Sequence, residues 1–445
     1  MMFSKQDLKR LIWPLVIEQL LAVTIGMADT VMVSNCGEAA VSGVSLVDSV
    51  NVLLINIFSA LATGGAIVAS QYLGRDDLKN ANGAAKQLLL SVGALSTLLA
   101  LGALAGNHAV PNAIFGTAEA DVMENCYVYF FWSALSYPFL GVYNGGAALF
   151  RAMGNSKVPM RTSIIMNLVN ICGNAILIFG FNMGVAGAAI ATLVARALGA
   201  FLMIFLLHSK PHQQDKIHLE TLRIFHFDWS MIRKILGIGI PNGLENGMFQ
   251  IGKILVQGLI ASFGTVAIAA NAVANSVAML PQIPSIAIGL AMVTVVGQCV
   301  GAGEYRQAKK YVWRLTALSY LCITVLSLLE IAGAWLLVGF YSLSAEASAM
   351  AVEIIVVNAV ATILIWPASF TLPNGLRAAG DVRFTMVVSV VSMWAFRIGF
   401  SYVLAQGLHM GLLGVWCAMF TDWFVRTLLL GGRYLSNKWM GKAVR

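Results

Sequence analysis

The chain has 445 residues, of which 59% are hydrophobic and only 11% are charged, and its formal net charge is +8. Soluble proteins carry about 25% charged residues, so this composition excludes an ordinary soluble globule. Apolar runs near the ~20-residue length of a membrane-spanning helix recur along the whole chain. A β-barrel would instead show alternating segments of ~10 residues. The composition therefore predicts a polytopic, all-α membrane protein.

The apolar runs predict twelve transmembrane helices. They cover residues 11–34, 47–72, 86–106, 122–146, 160–181, 185–208, 236–262, 273–299, 313–340, 348–372, 384–406 and 411–432. All but four of the 28 Lys and Arg lie at the N-terminus or in alternate connections, and the opposite connections hold none. By the positive-inside rule this pattern places both termini in the cytoplasm. The basic balance therefore reflects topology and gives no reason to expect nucleic-acid binding.

The first half of the chain is written again in the second half. Residues 14–81 align without a gap onto residues 241–308, an offset of 227 residues. The identical positions include residue types that are rare in membrane helices, namely Pro14/Pro241, Glu18/Glu245 and Gln71/Gln298. Six spans per half is an even number, so the two repeats are parallel and related by an axis along the membrane normal. Two such six-helix bundles are expected to leave a substrate cavity between them.

The repeat and a polar connection at mid-chain define the expected domains. We expect an N-terminal lobe over 1–208, a cytoplasmic interlobe linker over 209–235 and a C-terminal lobe over 236–445. Basic residues of the linker alternate with large apolar ones, which is the pattern of a helix lying on the cytoplasmic face of the membrane.

Two carboxylates, Glu18 and Asp29, lie in the first span. Eleven residues of α-helix separate them by only ~20° around the axis and by ~16 Å along it. A charged Asp in a span costs at least ~2.5 kcal/mol, so both acids should face the interior of the lobe. Each acid either pairs with a buried base or binds a proton or cation. Pro14 removes one helix hydrogen bond, so we expect a hinge there and at its repeat, Pro241.

Amide side chains mark the fifth span. Asn170 and Asn174 are four residues apart and share a helix face, and Thr192 lies in the sixth span. With Asp29 they can form an oxygen-rich pocket, although amides also commonly join helices in membranes. Arg196 lies one turn beyond Thr192 and can neutralise an acid.

The seventh span carries a polar stripe. Its members are spaced by 4, 4, 3 and 4 residues, with Glu245 beside them: Asn242, Asn246, Gln250, Lys253 and Gln257. A polar face on an apolar span lines water or substrate, or else packs against another helix. Two further basic residues lie in later spans. Arg397 needs a partner, whereas Arg426 lies near the cytoplasmic end of the last span and is expected to snorkel to the interface.

In combination these features resemble the multidrug and toxic compound extrusion (MATE) family, bacterial type. The resemblance covers essentially the whole chain and rests on Pro14 with Met27-Ala28-Asp29-Thr30, Gln71-Tyr72-Leu73-Gly74, Arg151-Ala152-Met153-Gly154-Asn155 and its repeat Arg377-Ala378-Ala379-Gly380-Asp381, Asn170 to Asn174, and Gly187 to Thr192. It implies two six-helix bundles that export organic cations and other drugs in exchange for H⁺ or Na⁺. It also implies that Asp29 is the coupling acid, with Asn170 and Thr192 as its neighbours.

The sequence departs from the family at three positions. Asn174 stands where many bacterial members have Asp, and Phe249 stands where some branches have an acid. The tenth span has no mid-span acid, only Glu353 near its start. These departures argue against a cation site in the C-terminal lobe, and they weaken the case for Na⁺ as the coupling ion.

The sequence therefore predicts a secondary active multidrug antiporter of the cell (inner) membrane, working by alternating access of two lobes. Asp29, Asn170, Asn174 and Thr192 are the expected coupling site, with Asp29 as the Na⁺ ligand if Na⁺ is the ion. Glu18, Glu245 and the stripe from Asn246 to Gln257 are candidates for cavity lining or coupling. The expected partners are the lipid bilayer and small-molecule drugs, and we expect a monomer without a cofactor.

Two alternatives were weighed. A flippase of lipid-linked saccharides would need a strongly cationic central cavity, for which Lys253, Arg196 and Arg397 are the candidates. An intramembrane enzyme would need a nucleophile–base or metal constellation, and the sequence shows neither. It also lacks the Gly-x-x-x-x-Gly-Lys phosphate loop of an ATP-driven pump.

Overall fold

The computed structural model describes residues 2–116, 118–209, 216–219 and 226–444. These residues are almost entirely helical and contain no β-strand, which confirms the predicted all-α fold. The surface helix predicted for the linker falls largely on residues 210–215 and 220–225, outside the described residues. The short described pieces of the linker, 216–219 and 226–228, are not helical.

The chain divides into two compact units. One comprises Lys5–Gly243, and the other comprises Leu244–Arg445 together with Met1–Ser4. The change of unit falls inside a helix, shortly after Pro241. The lobe limits expected from the sequence stay a prediction.

The first unit contains seven complete helices and the start of an eighth. They are α1 Lys5–Ser34, α2 Glu38–Gly74, α3 Leu78–Ala105, α4 Ala109–Phe115, α5 Ala120–Ala152, α6 Lys157–Asn174, α7 Gly184–His208 and α8 Trp229–Ala261, with a π-helical segment at Ala175–Gly180. The short α4 lies where the sequence predicted a simple connection. The apolar core of the first unit joins α2 to α5 through buried residues such as Val47, Phe58, Phe130 and Tyr137.

The second unit holds the end of α8 and seven further helices. They are α9 Thr265–Ala278, α10 Ile283–Gly301, α11 Tyr305–Gly339, α12 Ala345–Trp366, α13 Leu372–Ala378, α14 Val382–Ser392 and α15 Gly411–Leu435, with a 3-10 turn at Leu280–Gln282 and π-helical segments at Pro367–Thr371, Met393–Gly399 and Tyr402–Gly407. The interruptions at Leu280–Gln282 and Pro367–Thr371 fall at Pro281 and Pro367. Proline cannot supply the amide hydrogen of a regular helix, which accounts for the breaks at these two positions.

The structure repeats with the offset seen in the sequence. Helix α15 begins and ends 227 residues after α7, and the π-helical segment Tyr402–Gly407 follows Ala175–Gly180 by the same interval. The glycines that precede α2 and α9, Gly37 and Gly264, share a positive φ of 104° and 97°. The sequence repeat is therefore a repeat of fold.

Ten helical stretches among the described residues are long and apolar enough to cross a membrane. Two more helices, α5 and α8, are 33 residues long and more polar. Large apolar side chains point outward from these helices; for example Leu98, Phe201 and Leu336 are 68%, 64% and 69% exposed. A soluble monomer rarely exposes so much contiguous apolar surface, so these surfaces face lipid.

Candidate ion and substrate sites

The four residues predicted to couple a cation lie together in the first unit. The Asn174 amide donates a hydrogen bond to Asp29 Oδ1 at 2.5 Å and another to Asn170 Oδ1 at 3.3 Å. Asn170 in turn donates to Thr192 Oγ1 at 3.0 Å. The chain of hydrogen bonds thus links three helices, α1, α6 and α7, at one point.

Local helix geometry positions this site. Helix α6 ends at Asn174, and the backbone continues in the wider π-helical turns of Ala175–Gly180. Single π-helical insertions often occur at functional sites. Asn170 and Asn174 are 1% and 0% exposed, whereas Asp29 and Thr192 are only partly buried. The group therefore has a buried amide side and an open acidic side.

The group has the ligands that a cation needs. Asn174 uses its amide hydrogens twice, while its buried Oδ1 has no hydrogen-bond partner. An orphaned acceptor of this kind is costly unless a donor or a cation fills it. Together with the Asp29 carboxylate and the Thr192 hydroxyl, it forms an all-oxygen set with one negative charge. That set fits Na⁺ or a proton.

A second acid, Asp48 on α2, was missed in the sequence. Asn51 donates to Asp48 Oδ1 at 3.0 Å, and Tyr137 donates to Asn51 Oδ1 at 2.9 Å. The Tyr129 hydroxyl also hydrogen-bonds Asp48. Asp48 is close enough to Asp29 for the two carboxylates to repel one another. The available signal was the Asp48/Asn51 pair near the start of the second span, since residues three apart share a helix face.

Arg196 lies near both acids without forming an ion pair. Its guanidinium donates to Ser136 Oγ at 2.7 Å, and no carboxylate of the described residues lies within 4.0 Å of it. It acts on Asp29 and Asp48 only through its longer-range field. The region therefore carries two acids and one base at close range.

Glu18 and Glu245 are paired with arginines at equivalent places in the two repeats. Glu18 Oε1 accepts from Arg151 at 2.9 Å in the first unit, and Glu245 Oε1 accepts from Arg377 at 2.5 Å in the second. Both glutamates are 8% exposed. The arginines belong to the repeated Arg-Ala-x-Gly turns. This duplication favours a structural role for both acids over ion coupling.

The predicted hinge residues lie in unbroken helices: α1 runs through Pro14 and α8 runs through Pro241. Of the predicted polar stripe, Lys253 and Gln257 line a cavity in the second unit. Asn246 and Gln250 are partly buried outside that lining.

The cavity of the second unit has a volume of about 620 Å³, within the usual ~300–1,000 Å³ of small-molecule sites. Amides and hydroxyls line one part of it: Gln257, Asn271, Asn275, Gln282, Ser285, Asn358 and Asn374. Aromatic rings line another part: Phe249, Trp366, Phe370, Trp416 and Trp423. Trp416 Nε1 donates to Asn271 Oδ1 at 3.0 Å, which fixes that wall.

Two cations and no carboxylate line this cavity among the described residues. Lys253 Nζ and Arg397 Cζ lie 5.0 Å and 4.9 Å from the centroid of the Phe249 ring. Neither forms an ion pair among the described residues, although each needs a partner in a membrane span. The expected snorkelling of Arg426 is wrong, because its side chain is buried and pairs with Asp422 at 2.9 Å.

The described residues hold no group of three or more His, Cys, Asp or Glu arranged for a metal. The chain is a helical repeat that places polar groups within apolar helices and turns an apolar surface to lipid. These features define a membrane transporter. A family model, MatE, matches residues 14–176 and again residues 241–403, with the same offset of 227 residues. The chain belongs to the MATE family.

Related sequences extend over nearly its full length. A Bacillus subtilis protein named "Uncharacterized transporter YisQ" is 29% identical, and the alignment covers 98% of this chain and 95% of that one. The "Probable multidrug resistance protein NorM" of Thermotoga maritima is 25% identical, with 99% and 94% covered.

Solved structures share the fold at lower identity. An outward-facing multidrug resistance MATE family transporter superposes with a TM-score of 0.90 at 19% identity, covering 98% of this chain and 96% of that one. A MOP superfamily transporter from Pyrococcus furiosus superposes with a TM-score of 0.89 at 19% identity, covering 97% and 95%. That protein was described as having a binding pocket of reverse polarity that suggests a different function.

Proposed function

We propose that the chain is a secondary active efflux antiporter of the cell membrane that exports organic cations and related drugs in exchange for H⁺ or Na⁺. The observation that carries this proposal is the hydrogen-bonded group of Asp29, Asn174, Asn170 and Thr192. Relatives named as multidrug resistance proteins support drug export as the activity.

In this proposal Asp29 is the coupling acid. A cation that binds Asp29 competes with the Asn174 amide hydrogen now held at 2.5 Å. Asn174 can then turn its unpartnered Oδ1 towards the cation, which reorganises the contact between α1 and α6. Occupancy thereby favours one arrangement of the helices over another, as a ligand does when it binds two states unequally. The two states are the inward- and outward-open forms of alternating access.

The driving force is adequate. Moving one elementary charge across 100 mV supplies ~2.3 kcal/mol. By affinity arithmetic this corresponds to roughly a 50-fold gradient of an uncharged drug. A single coupling acid is therefore sufficient for efflux of an uncharged drug, whereas exchange of one H⁺ or Na⁺ for a singly charged organic cation moves no net charge and is driven by the concentration gradient of the ion alone.

Efflux of ethidium from proteoliposomes tests the proposal. Wild-type protein should export ethidium when either a pH gradient or a Na⁺ gradient is imposed, and the gradient that works identifies the ion. Asp29→Asn keeps the size and the amide contacts but removes the charge, so it should reduce gradient-driven efflux to the background of empty liposomes. Lys157→Gln, at an exposed position on α6, is the matched control and should retain full efflux. Full gradient-driven efflux by Asp29→Asn would contradict the proposal.

A second substrate class, organic anions, is favoured by one observation. Lys253 and Arg397 line the cavity of the second unit, and no carboxylate lines it. Lys253 is exposed to the cavity, and Arg397 has no ion pair among the described residues although it lies in the field of Asp422. Cations in a membrane span are costly without a counter-charge, and the Phe249 ring offsets only ~0.5–2 kcal/mol of that cost. An aromatic molecule with a carboxylate or sulfonate satisfies both the cations and the aromatic wall. The transporter from Pyrococcus furiosus with the same fold was likewise described as having a binding pocket of reverse polarity.

Binding of two matched probes tests this substrate class. Naphthoate and naphthylmethylammonium share a ring system and differ in charge. The wild-type protein should bind naphthoate more tightly, and the double variant K253Q/R397Q should weaken naphthoate binding roughly 100-fold or more, because it removes two charge-assisted hydrogen bonds of about 1.5–3 kcal/mol each. Equal affinity for the two probes, or a double variant that binds naphthoate as wild type does, would rule out the anion preference.

A further inference from the structure

Glu330 is a buried carboxylate in the C-terminal third of helix α11. Its side chain is 5% exposed. Both carboxylate oxygens lack a hydrogen-bond partner, and no basic residue of the described part of the chain pairs with it. An unpaired charge at such a position costs at least ~2.5 kcal/mol in a membrane helix. Something other than a protein side chain must therefore neutralise it.

Near Glu330 along α11 and on the neighbouring helix α12, three more buried polar side chains lack partners. Asn358 and Thr362 on α12 are both 1% exposed, and Ser327 on α11 is 0% exposed. Both polar atoms of Asn358 and the hydroxyl oxygens of Ser327 and Thr362 have no hydrogen-bond partner. Ser and Thr in helices commonly bond to a backbone carbonyl of the preceding turn, so these two are unusual.

Helix packing places these four residues opposite one another. A short connection joins α11 to α12, which pack together in opposite directions. Towards the end of α11, Ala334 and Val338 share an apolar cluster with Ile355 and Ala351 of α12. Earlier on α11, Ile323 shares a second apolar cluster with Trp366.

Ala334 with Ile355, Val338 with Ala351 and Ile323 with Trp366 are equivalent antiparallel pairings of α11 with α12. The same pairing therefore applies to the positions between the two apolar clusters. In antiparallel helices this pairing implies that Glu330 lies opposite Asn358 and Ser327 opposite Thr362. The unpartnered polar group thus occupies one level of the α11–α12 interface, closed above and below by apolar side chains.

The missing hydrogen bonds indicate a gap that an ion can fill. Oxygen ligands lie about 2.3–2.6 Å from a hard cation. Ligands on opposite sides of such an ion are therefore about 5 Å apart, beyond hydrogen-bond range. The group offers two carboxylate oxygens, the Asn358 carbonyl oxygen and two hydroxyls. Its single negative charge matches a monovalent cation.

We propose that Glu330, Ser327, Asn358 and Thr362 form a Na⁺ site between helices α11 and α12. Asn358 also lines the cavity of the second unit, which gives the ion a polar route to the site. Substrate in the cavity and Na⁺ in the site then share one residue. Glu330 lies in the ninth span. The departures in the sequence that argue against a C-lobe cation site concern only the seventh and tenth spans.

Equilibrium binding of radioactive Na⁺ to the purified full chain tests this site without any transport. The Asp29→Asn background removes the acid of the first unit. D29N should still bind one Na⁺ saturably, with K⁺ unable to displace it at equal concentration. D29N/E330Q should lose this binding. D29N/E353Q, which changes an exposed acid of α12, should keep it.

Thr362→Val, added to D29N, preserves side-chain shape and removes one ligand oxygen. It should weaken Na⁺ binding roughly 10-fold, the lower end of what a supporting group contributes to metal affinity. If E330Q does not fold, the Thr362→Val variant still tests the Na⁺ site. No saturable Na⁺ binding by D29N, or equal binding by its E330Q and T362V derivatives, overturns the site. Such a result leaves the Asp29 proposal intact, because ethidium efflux by wild type is measured separately.

Discussion

A charged side chain in a membrane helix is stable only where another group replaces the water that hydrates it. The acids of this chain have different groups in that role. Glu18 and Glu245 are each held by an arginine. Asp29 accepts an amide hydrogen bond from Asn174 and has no ion pair among the described residues. Glu330 has neither kind of partner there. Acids with a fixed arginine are occupied, whereas Asp29 and Glu330, like Asp48, have no ion pair among the described residues and are available to a mobile cation.

The paired acids should therefore matter for stability. Glu18→Gln leaves the partly buried Arg151 without this carboxylate, and the cost should approach the ~3–5 kcal/mol of breaking a fully buried pair. Thermal unfolding in detergent should show a marked loss of stability for E18Q. The double variant E18Q/R151Q should recover part of the loss, because it removes the uncompensated charge. E124Q, an exposed acid on α5, is the control, and an E18Q variant as stable as E124Q would show that the pair contributes nothing.

Helix packing in the first unit depends on a close approach between α2 and α5. A Cβ added at Gly43 would lie 2.7 Å from Asn125 Cβ and 3.0 Å from the Val122 carbonyl oxygen. The second of these is backbone, so the helices must separate to make room. Apolar packing along α2 and α5 extends from this point.

Gly43→Ala should therefore destabilise the protein by about 1–3 kcal/mol, the usual cost of overpacking. Gly102→Ala offers the matched comparison, because nothing lies within 4 Å of its added Cβ. There the better helix propensity of Ala should stabilise by up to about 1 kcal/mol. Unfolding midpoints of the two variants give the answer. A G43A variant at least as stable as G102A would contradict the close approach.

The helices could largely be predicted, because each needs one long apolar run and the prolines mark their breaks. The π-helical segments could not, since neither Ala175–Gly180 nor Tyr402–Gly407 differs in composition from ordinary helix. Helix α4 was missed because its seven residues are too short for a periodic pattern. Helix α2 begins at Glu38, before the predicted span, since amphipathic turns can continue a helix beyond the lipid.

At the scale of the whole molecule, the duplicated fold carries unlike charges in its two halves. The first unit gathers Asp29 and Asp48, and the second places Lys253 and Arg397 around one cavity. The shared face of Asn170 and Asn174 could be predicted from their spacing, and their grouping with Asp29 and Thr192 was implied by the family resemblance. The meeting of Lys253 with Arg397 could not, because it depends on how distant helices pack. Glu330 was overlooked because a single acid shows no pattern of its own.

Counterflow of the coupling ion is the most direct test of the account's central claim, that Asp29 exchanges a cation for drug. Proteoliposomes loaded with ethidium, without any imposed ion gradient, should take up H⁺ or Na⁺ as ethidium leaves. A pH-sensitive dye inside the vesicles reports H⁺ uptake, and radioactive Na⁺ added outside the vesicles reports Na⁺ uptake. Wild-type protein should take up the ion only when ethidium is present, and Asp29→Asn should show no such uptake. Ethidium efflux by wild type without uptake of either ion, or undiminished uptake by Asp29→Asn, would contradict this claim.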